Sequence, residues 1–195
     1  MTFCEGLPYT VEWSGRRWRI RPAFDNVLCA LRTLDDTDLP PDERRNIALA
    51  YLMDGDYRNA DGLLNAILET LDLVPKQSDK PKGERALDLY LDTPYIYAAF
   101  MQAYGIDLYE QRGKLHWLKF HALLSSIPQC TRLSDIMQIR TREVPAPTKS
   151  NAKQREQIIR AKAHYKLPVS EAESRAEFEN AFRGLIASYE KRGDI

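Results

Sequence analysis

Three cysteines in 195 residues leave little material for a disulfide frame or a zinc site. Cys4, Cys29 and Cys130 are odd in number, widely spaced and form no C-x-x-C pair, which is the usage of reduced thiols in an intracellular protein. Histidine is scarce as well. His116 and His121 stand five positions apart, about 140° around a helix, and cannot chelate one metal from adjacent turns. No apolar run approaches the roughly 20 residues of a membrane span. Residues 1–7 carry Glu5 and Gly6 where a secretory leader needs an apolar core. A soluble, intracellular protein is expected. Phosphate-loop, dinucleotide-binding, nucleophile-elbow and paired-histidine signatures are missing, as are internal repeats and low-complexity tracts. The acids fall in loops and helix starts, where solvation and the helix dipole account for them. The expectation is therefore a non-enzymatic protein with no catalytic residues, cofactor or metal.

The chain also lacks net charge, since 28 Lys and Arg balance 28 Asp and Glu. No global field draws it to nucleic acid or to an anionic membrane. Locally the balance breaks: residues 35–92 hold 14 acids against 7 bases, and residues 140–166 hold 8 bases against 2 acids. The basic stretch contains Arg140, Arg142, Lys149, Lys153, Arg155, Arg160, Lys162 and Lys166, enough for several phosphate contacts. However, these bases are spread around a helix, interrupted by Glu143 and Glu156, and accompanied by one stacking aromatic, Tyr165. A solvated face, or a seat for an acidic protein surface, is favoured over nucleic acid. The acidic N-terminal part of a second copy is one such surface, and would give head-to-tail association.

Along the chain, residues 9–21 carry the best strand signal. With Ser14-Gly15 as a two-residue turn, Val11 falls opposite Trp18 and Tyr9 opposite Ile20 on one face, while Glu12 meets Arg17 on the other. Such a hairpin is marginal alone, so its apolar face is expected to dock on the helices that follow. Phe24, Val27, Leu28, Leu31 and Leu34 mark a first helix. A second begins near Asp42 with Ile47, Ala48, Tyr51 and Leu52, and a third spans about 60–73 with Leu63, Leu64, Ile67, Leu68 and Leu71. Residues 75–84, PKQSDKPKGE, contain two prolines and no apolar anchor, and read as an exposed, mobile connection.

Residues 93–148 gather the densest aromatic region. Thr93 as N-cap, Pro94 as first helical residue and Gly105 as left-handed closing residue bracket one helix. Gly113 opens another, lined by His116, Phe120, Leu123 and Ile127, widened by Trp117 and Leu124, and ended by Pro128. The two helices form a domain core with His116 and His121 on its flanks. Thr131 caps a short helix with Leu133, Ile136 and Met137 inward, and Val144-Pro145-Ala146-Pro147 is extended. A basic helix follows over 151–165. After Pro168, Ser170-Glu171-Ala172-Glu173 has capping-box spacing for a last helix with Phe178, Phe182, Leu185, Ile186 and Tyr189 as an apolar stripe. The fold class is mainly α: a helical bundle with an N-terminal β-hairpin (1–148) and a projecting C-terminal helical arm (149–195).

Several ordered blocks carry a family resemblance: Tyr95-Ile96-Tyr97-Ala98-Ala99-Phe100, Tyr104-Gly105-Ile106-Asp107-Leu108, Gly113-Lys114-Leu115-His116-Trp117-Leu118-Lys119-Phe120, and Ile139-Arg140-Thr141-Arg142 with Pro145 and Pro147. With Phe24-Asp25-Asn26-Val27 after a short aromatic hairpin, they resemble the bacteriophage "gene product fifteen" family, small proteins of long-tailed phages and prophages encoded close to the tape-measure gene. The resemblance covers roughly 9–168 and does not extend to the tail, 169–195.

The resemblance implies a tail-assembly chaperone in the host cytoplasm, coating the apolar stripes of the tape-measure protein until tail-tube subunits displace it. Its partners would be the tape measure, tube subunits and further copies of itself, with no membrane partner. The expected contact residues are Tyr97 and Trp117 as aromatic anchors, Arg140 and Arg142 as charge-assisted contacts, and Phe178, Phe182 and Leu185 on the terminal helix. Core packing is the competing role for Tyr97 and Trp117, and tying down the 145–147 strip for the arginines. Rival functions are a virion component, such as a head–tail connector or tail-completion protein, and a nucleic-acid-binding regulator acting through residues 140–166.

Overall fold

The computed structural model of the chain describes residues 4–55, 62–74 and 85–168. Among them are one two-stranded hairpin, β1 (Thr10–Trp13) and β2 (Arg16–Arg19), and seven helices: α1 (Phe24–Asp35), α2 (Pro41–Leu52), α3 (Leu63–Thr70), α4 (Thr93–Tyr104), α5 (Trp117–Ser125), α6 (Arg132–Thr141) and α7 (Ala152–Tyr165). The protein is mainly helical, with an N-terminal antiparallel hairpin. Contacts divide it into two compact units, Met1–Glu143 and Val144–Ile195. The connection expected at 75–84 and the terminal stripe of Phe178, Phe182 and Leu185 lie outside the described residues.

The hairpin has the register that its alternation predicts. Val11 pairs with Trp18 and Glu12 with Arg17, and the Ile20 N–H donates to the Tyr9 carbonyl at 2.9 Å. Ser14 at φ +50° and Gly15 at +71° give the left-handed pair of a type I′ turn, whose twist matches that of the strands. The inner face docks on the helices of the same chain. Val11 and Ile20 are buried, Ile20 bridges Met53, and the Arg21 N–H donates to the Leu52 carbonyl. Burying these two side chains contributes roughly 1.5–3 kcal/mol each, which is what an isolated hairpin lacks.

α1 and α2 pack side by side, and α3 closes against α2 and β1. The buried face of α2 is Ala48, Leu49 and Leu52, whereas Ile47 and Tyr51, expected inward, are exposed. α3 starts later than expected because Gly62, at φ +86°, is left-handed and cannot continue a helix backwards. It ends in a Schellman motif with Asp72 at φ +54°: Leu73 N–H donates to the Leu68 carbonyl at 2.8 Å and Asp72 N–H to Glu69 at 3.0 Å.

The aromatic blocks form the centre of the first unit. Phe120 stacks on Phe24 at 4.8 Å and on Phe100 at 5.3 Å, while Trp117 tilts against Phe120 at 5.7 Å. The beginnings of α1 and α5 are sewn together, with Phe24 N–H donating to the Leu115 carbonyl and Trp117 N–H to the Pro22 carbonyl. α4 closes at Gly105, φ +64°, whose N–H donates to the Met101 carbonyl, as expected. Its start differs. Thr93 is the first helical residue, and its hydroxyl donates to the Leu89 and Tyr90 carbonyls instead of capping.

α5 also starts later than predicted, since Gly113 at φ +70° belongs to the preceding turns. His116 is not on the flank of the core but inside it. It is the buried N-cap, with Nδ1 accepting from the Leu118 N–H at 3.1 Å and Nε2 3.0 Å from the Pro8 carbonyl oxygen. α6 is capped by Thr131, whose hydroxyl accepts from the Ser134 N–H, as its sequence predicts.

In the second unit the proline strip is held by α7 and its cap. The Asn151 side chain accepts from the Thr148 N–H at 2.8 Å and donates to the Ala146 carbonyl at 2.9 Å, and Arg155 donates to the Pro145 carbonyl. Ile158 is buried and Ile159 exposed.

Candidate partner-binding cleft

Helical spacing places Phe24, Leu28 and Arg32 on one line of α1, and Thr93, Ile96 and Tyr97 on one side of α4. These two faces and the turns between α4 and α5 enclose an open cleft of about 250 Å³. Phe24, Ile96, Leu108 and Phe120, all buried, form its floor. Its lining is mainly apolar, and the rim adds Asp25, Cys29, Arg32, Tyr90, Tyr97, Tyr109 and Arg112.

Two carboxylates fix the shape of the rim. Asp107 Oδ1 accepts the Tyr109 and Glu110 N–H groups, tightening the turn, and Oδ2 accepts the Tyr97 hydroxyl at 3.1 Å. That bond, made by the protonated phenol, holds the Tyr97 pKa above its ordinary value. Asp25 Oδ1 accepts the Gly113 N–H at 2.9 Å, and Oδ2 lies 3.8 Å from Arg112 Nε. Tyr90 donates its hydroxyl to the Leu28 carbonyl at 2.9 Å. Burial, then the nearby Asp35 and Asp88 carboxylates, raise its pKa far above the ordinary phenol range. Tyr109 is left 67% exposed, its ring 5.3 Å from that of Tyr97. The result is a preformed apolar slot with a polar, partly cationic edge. Among the described residues no group of three or more His, Cys, Asp or Glu could hold a metal ion, and no helix is long and apolar enough to cross a membrane.

Each block that carries the family resemblance within the first unit contributes to this centre. Phe24-Asp25, Tyr97 with Phe100, Asp107-Leu108 and Gly113 to Phe120 meet here, and Arg140 anchors the segment before α4. The family described as Bacteriophage Gp15 protein matches residues 3–167. The chain belongs to that family. No curated protein and no solved structure matches it. Membership in the Gp15 family supports a structural or assembly role in a bacteriophage, and the match ends before the tail at 169–195.

The expected contact residues separate. Tyr97 stands on the cleft, half-buried. Trp117 is 3% exposed and part of the core. Arg140 is also internal: its guanidinium forks onto Asp92 at 2.5 and 2.8 Å and donates to the Ala86 carbonyl at 3.0 Å. Arg142 is exposed at the end of α6, away from the cleft lining. Within the second unit the strip at 145–147 is tied by Asn151 and Arg155. Leu28, Arg32, Tyr90, Tyr109 and Arg112 are not among the contact residues expected from sequence, where Leu28 only marks the apolar face of the first helix. Their common signal is spatial, and only the four-residue spacings of Phe24–Leu28 and Thr93–Tyr97 hint at it.

Proposed function

We propose that this Gp15-family chain is a non-enzymatic tail-assembly chaperone that binds the tape-measure protein and self-associates, acting in the host cytoplasm during virion assembly. The observation that carries the reading is the family match over 165 residues, 3–167, and the open apolar cleft supports it. A tape measure is a very long helical chain whose exposed apolar stripes would aggregate before a tube surrounds it. Many copies of a small helical protein, each binding the soluble chain and not the aggregate, keep it in solution by mass action. Tail-tube subunits then displace them.

Co-expression with the tape-measure protein tests this. Light scattering and pull-down should give a soluble complex that is lost when this chain is omitted. A tape measure that neither binds the chain nor gains solubility from it overturns the chaperone reading. Finding the chain as a fixed constituent of purified particles would favour the virion-component reading instead.

A further inference from the structure

The geometry points to the chemistry of the occupant: we infer that the cleft between α1 and α4 seats a helix whose apolar ridge is flanked by carboxylates. Three features select that class. At about 250 Å³ the slot falls below the roughly 300–1,000 Å³ of small-molecule sites, and its floor is hydrocarbon, so it fits a few side chains of a protein better than a cofactor.

Its long walls are helices, whose backbone groups already pair within α1 and α4. They offer no strand edge. An extended segment laid there would bury unpaired N–H and C=O groups, whereas a helix arrives with its own satisfied. The third feature is charge. The rim carboxylates are in use, Asp107 on Tyr97 and its own turn, Asp25 on Gly113 and, loosely, Arg112. Arg32 is exposed and has no carboxylate within ion-pair distance among the described residues, and the Arg112 side chain is 66% exposed. Two cations thus stand at the mouth of an apolar slot, beside the exposed ring of Tyr109. Acids flanking an apolar ridge complement them.

Naming the tape measure as the source of that helix rests on the function proposed above; the recognition chemistry does not. The probe is therefore a synthetic 20-residue peptide with leucines at alternating three- and four-residue spacing and glutamates on either side, compared with a twin bearing lysine for every glutamate. Fluorescence anisotropy with the full chain at low salt should show the acidic peptide binding at least tenfold more tightly. The R32E/R112E double variant, with an unchanged melting curve, should reverse the preference, and Leu28→Gln should weaken both peptides. Equal affinity for the twins, no binding of either, or an unchanged preference in R32E/R112E overturns the inference. If R32E/R112E still solubilises the tape measure as well as the wild type does, the tape measure is not the occupant of the cleft and the chaperone reading stands. If the peptide preference reverses as expected but the wild type never binds the tape measure, the cleft assignment stands and the chaperone reading fails.

Discussion

Arg140 and Asp92, 48 residues apart, form a buried fork, with Nη1 2.5 Å from Oδ2 and Nη2 2.8 Å from Oδ1 and side chains 7% and 2% exposed. Asp92 Oδ2 also accepts the Asp88 N–H at 2.9 Å, and Arg140 reaches the Ala86 carbonyl. The pair pins the segment entering α4 to α6. Removing one partner strands the other charge out of water, which costs more than the net worth of the pair. Arg140→Met is expected to destabilise the chain by about 3–5 kcal/mol in urea unfolding. The D92L/R140M double variant should recover most of that, but not all, because the Asp88 N–H loses its acceptor. A single variant costing under about 1 kcal/mol would contradict this account.

His116 predicts a pH dependence. Its Nδ1 accepts from Leu118 N–H, so the ring is neutral, with Nε2–H donating to the Pro8 carbonyl. Burial, opposed by that carbonyl and helped by Lys119, holds its pKa below the ordinary value of 6.5. The unfolded chain therefore takes up the proton first. The stability due to the neutral ring is complete above pH 6.5 and is lost as pH falls from there towards the depressed folded value. Urea midpoints between pH 8 and pH 5 should fall further for the wild type than for His116→Asn, which keeps a capping acceptor but does not titrate. Equal slopes would remove His116 as the cause.

Much of the fold was legible because its signals are local. The Ser14-Gly15 turn and strict alternation set the hairpin register, Gly105 and Thr131 set helix ends, and the spacing of Leu63, Leu64 and Ile67 set the buried face of α3. Where local signals were degenerate, the reading slipped. Ile47 to Leu52 is six apolar residues in a row, so no periodicity could say that Ala48, Leu49 and Leu52 face inward. Thr93 looked like a cap because the competing use of Asp92, pairing with Arg140, is set 48 residues away. The cleft was hidden for the same reason. Arg32, Tyr109 and Arg112 become neighbours only when α1, α4 and the turns before α5 meet, and Arg140, a plausible surface contact in sequence, goes inside.

Gly62 joins a left-handed backbone to a close approach. At φ +86°, a Cβ there would lie 3.3 Å from Trp13 Nε1, whereas a Cβ on Gly15 at φ +71° would meet nothing within 4 Å. Each alanine substitution carries the left-handed penalty of about 1–2 kcal/mol. Gly62→Ala should cost more than Gly15→Ala, because Trp13 must also shift against the core. Thermal melts of the two variants give the comparison, and a smaller loss for Gly62→Ala would mean that the Trp13 contact yields freely.

The nucleic-acid reading can be weighed by counting cations that reach solvent together. On α7, Lys153 and Arg160 stand seven residues apart on one exposed face, while Arg155 is folded onto the Pro145 carbonyl and Lys162 is half-buried; Lys149 and Lys166, just beyond its ends, are exposed. Tyr165, the one stacking aromatic of the stretch, is half-buried with its ring against His164. The four exposed cations described in this unit, Lys149, Lys153, Arg160 and Lys166, would give a log–log salt slope on single-stranded nucleic acid of at most about −3, short of the six to ten contacts of a committed binder. Filter binding to a single-stranded 30-mer at about 150 mM salt should therefore find affinity no better than the non-specific range of roughly 10⁻⁴ M. K153E/R160E should leave the tape-measure complex unchanged. A steep salt slope abolished by K153E/R160E would instead make α7 a nucleic-acid surface.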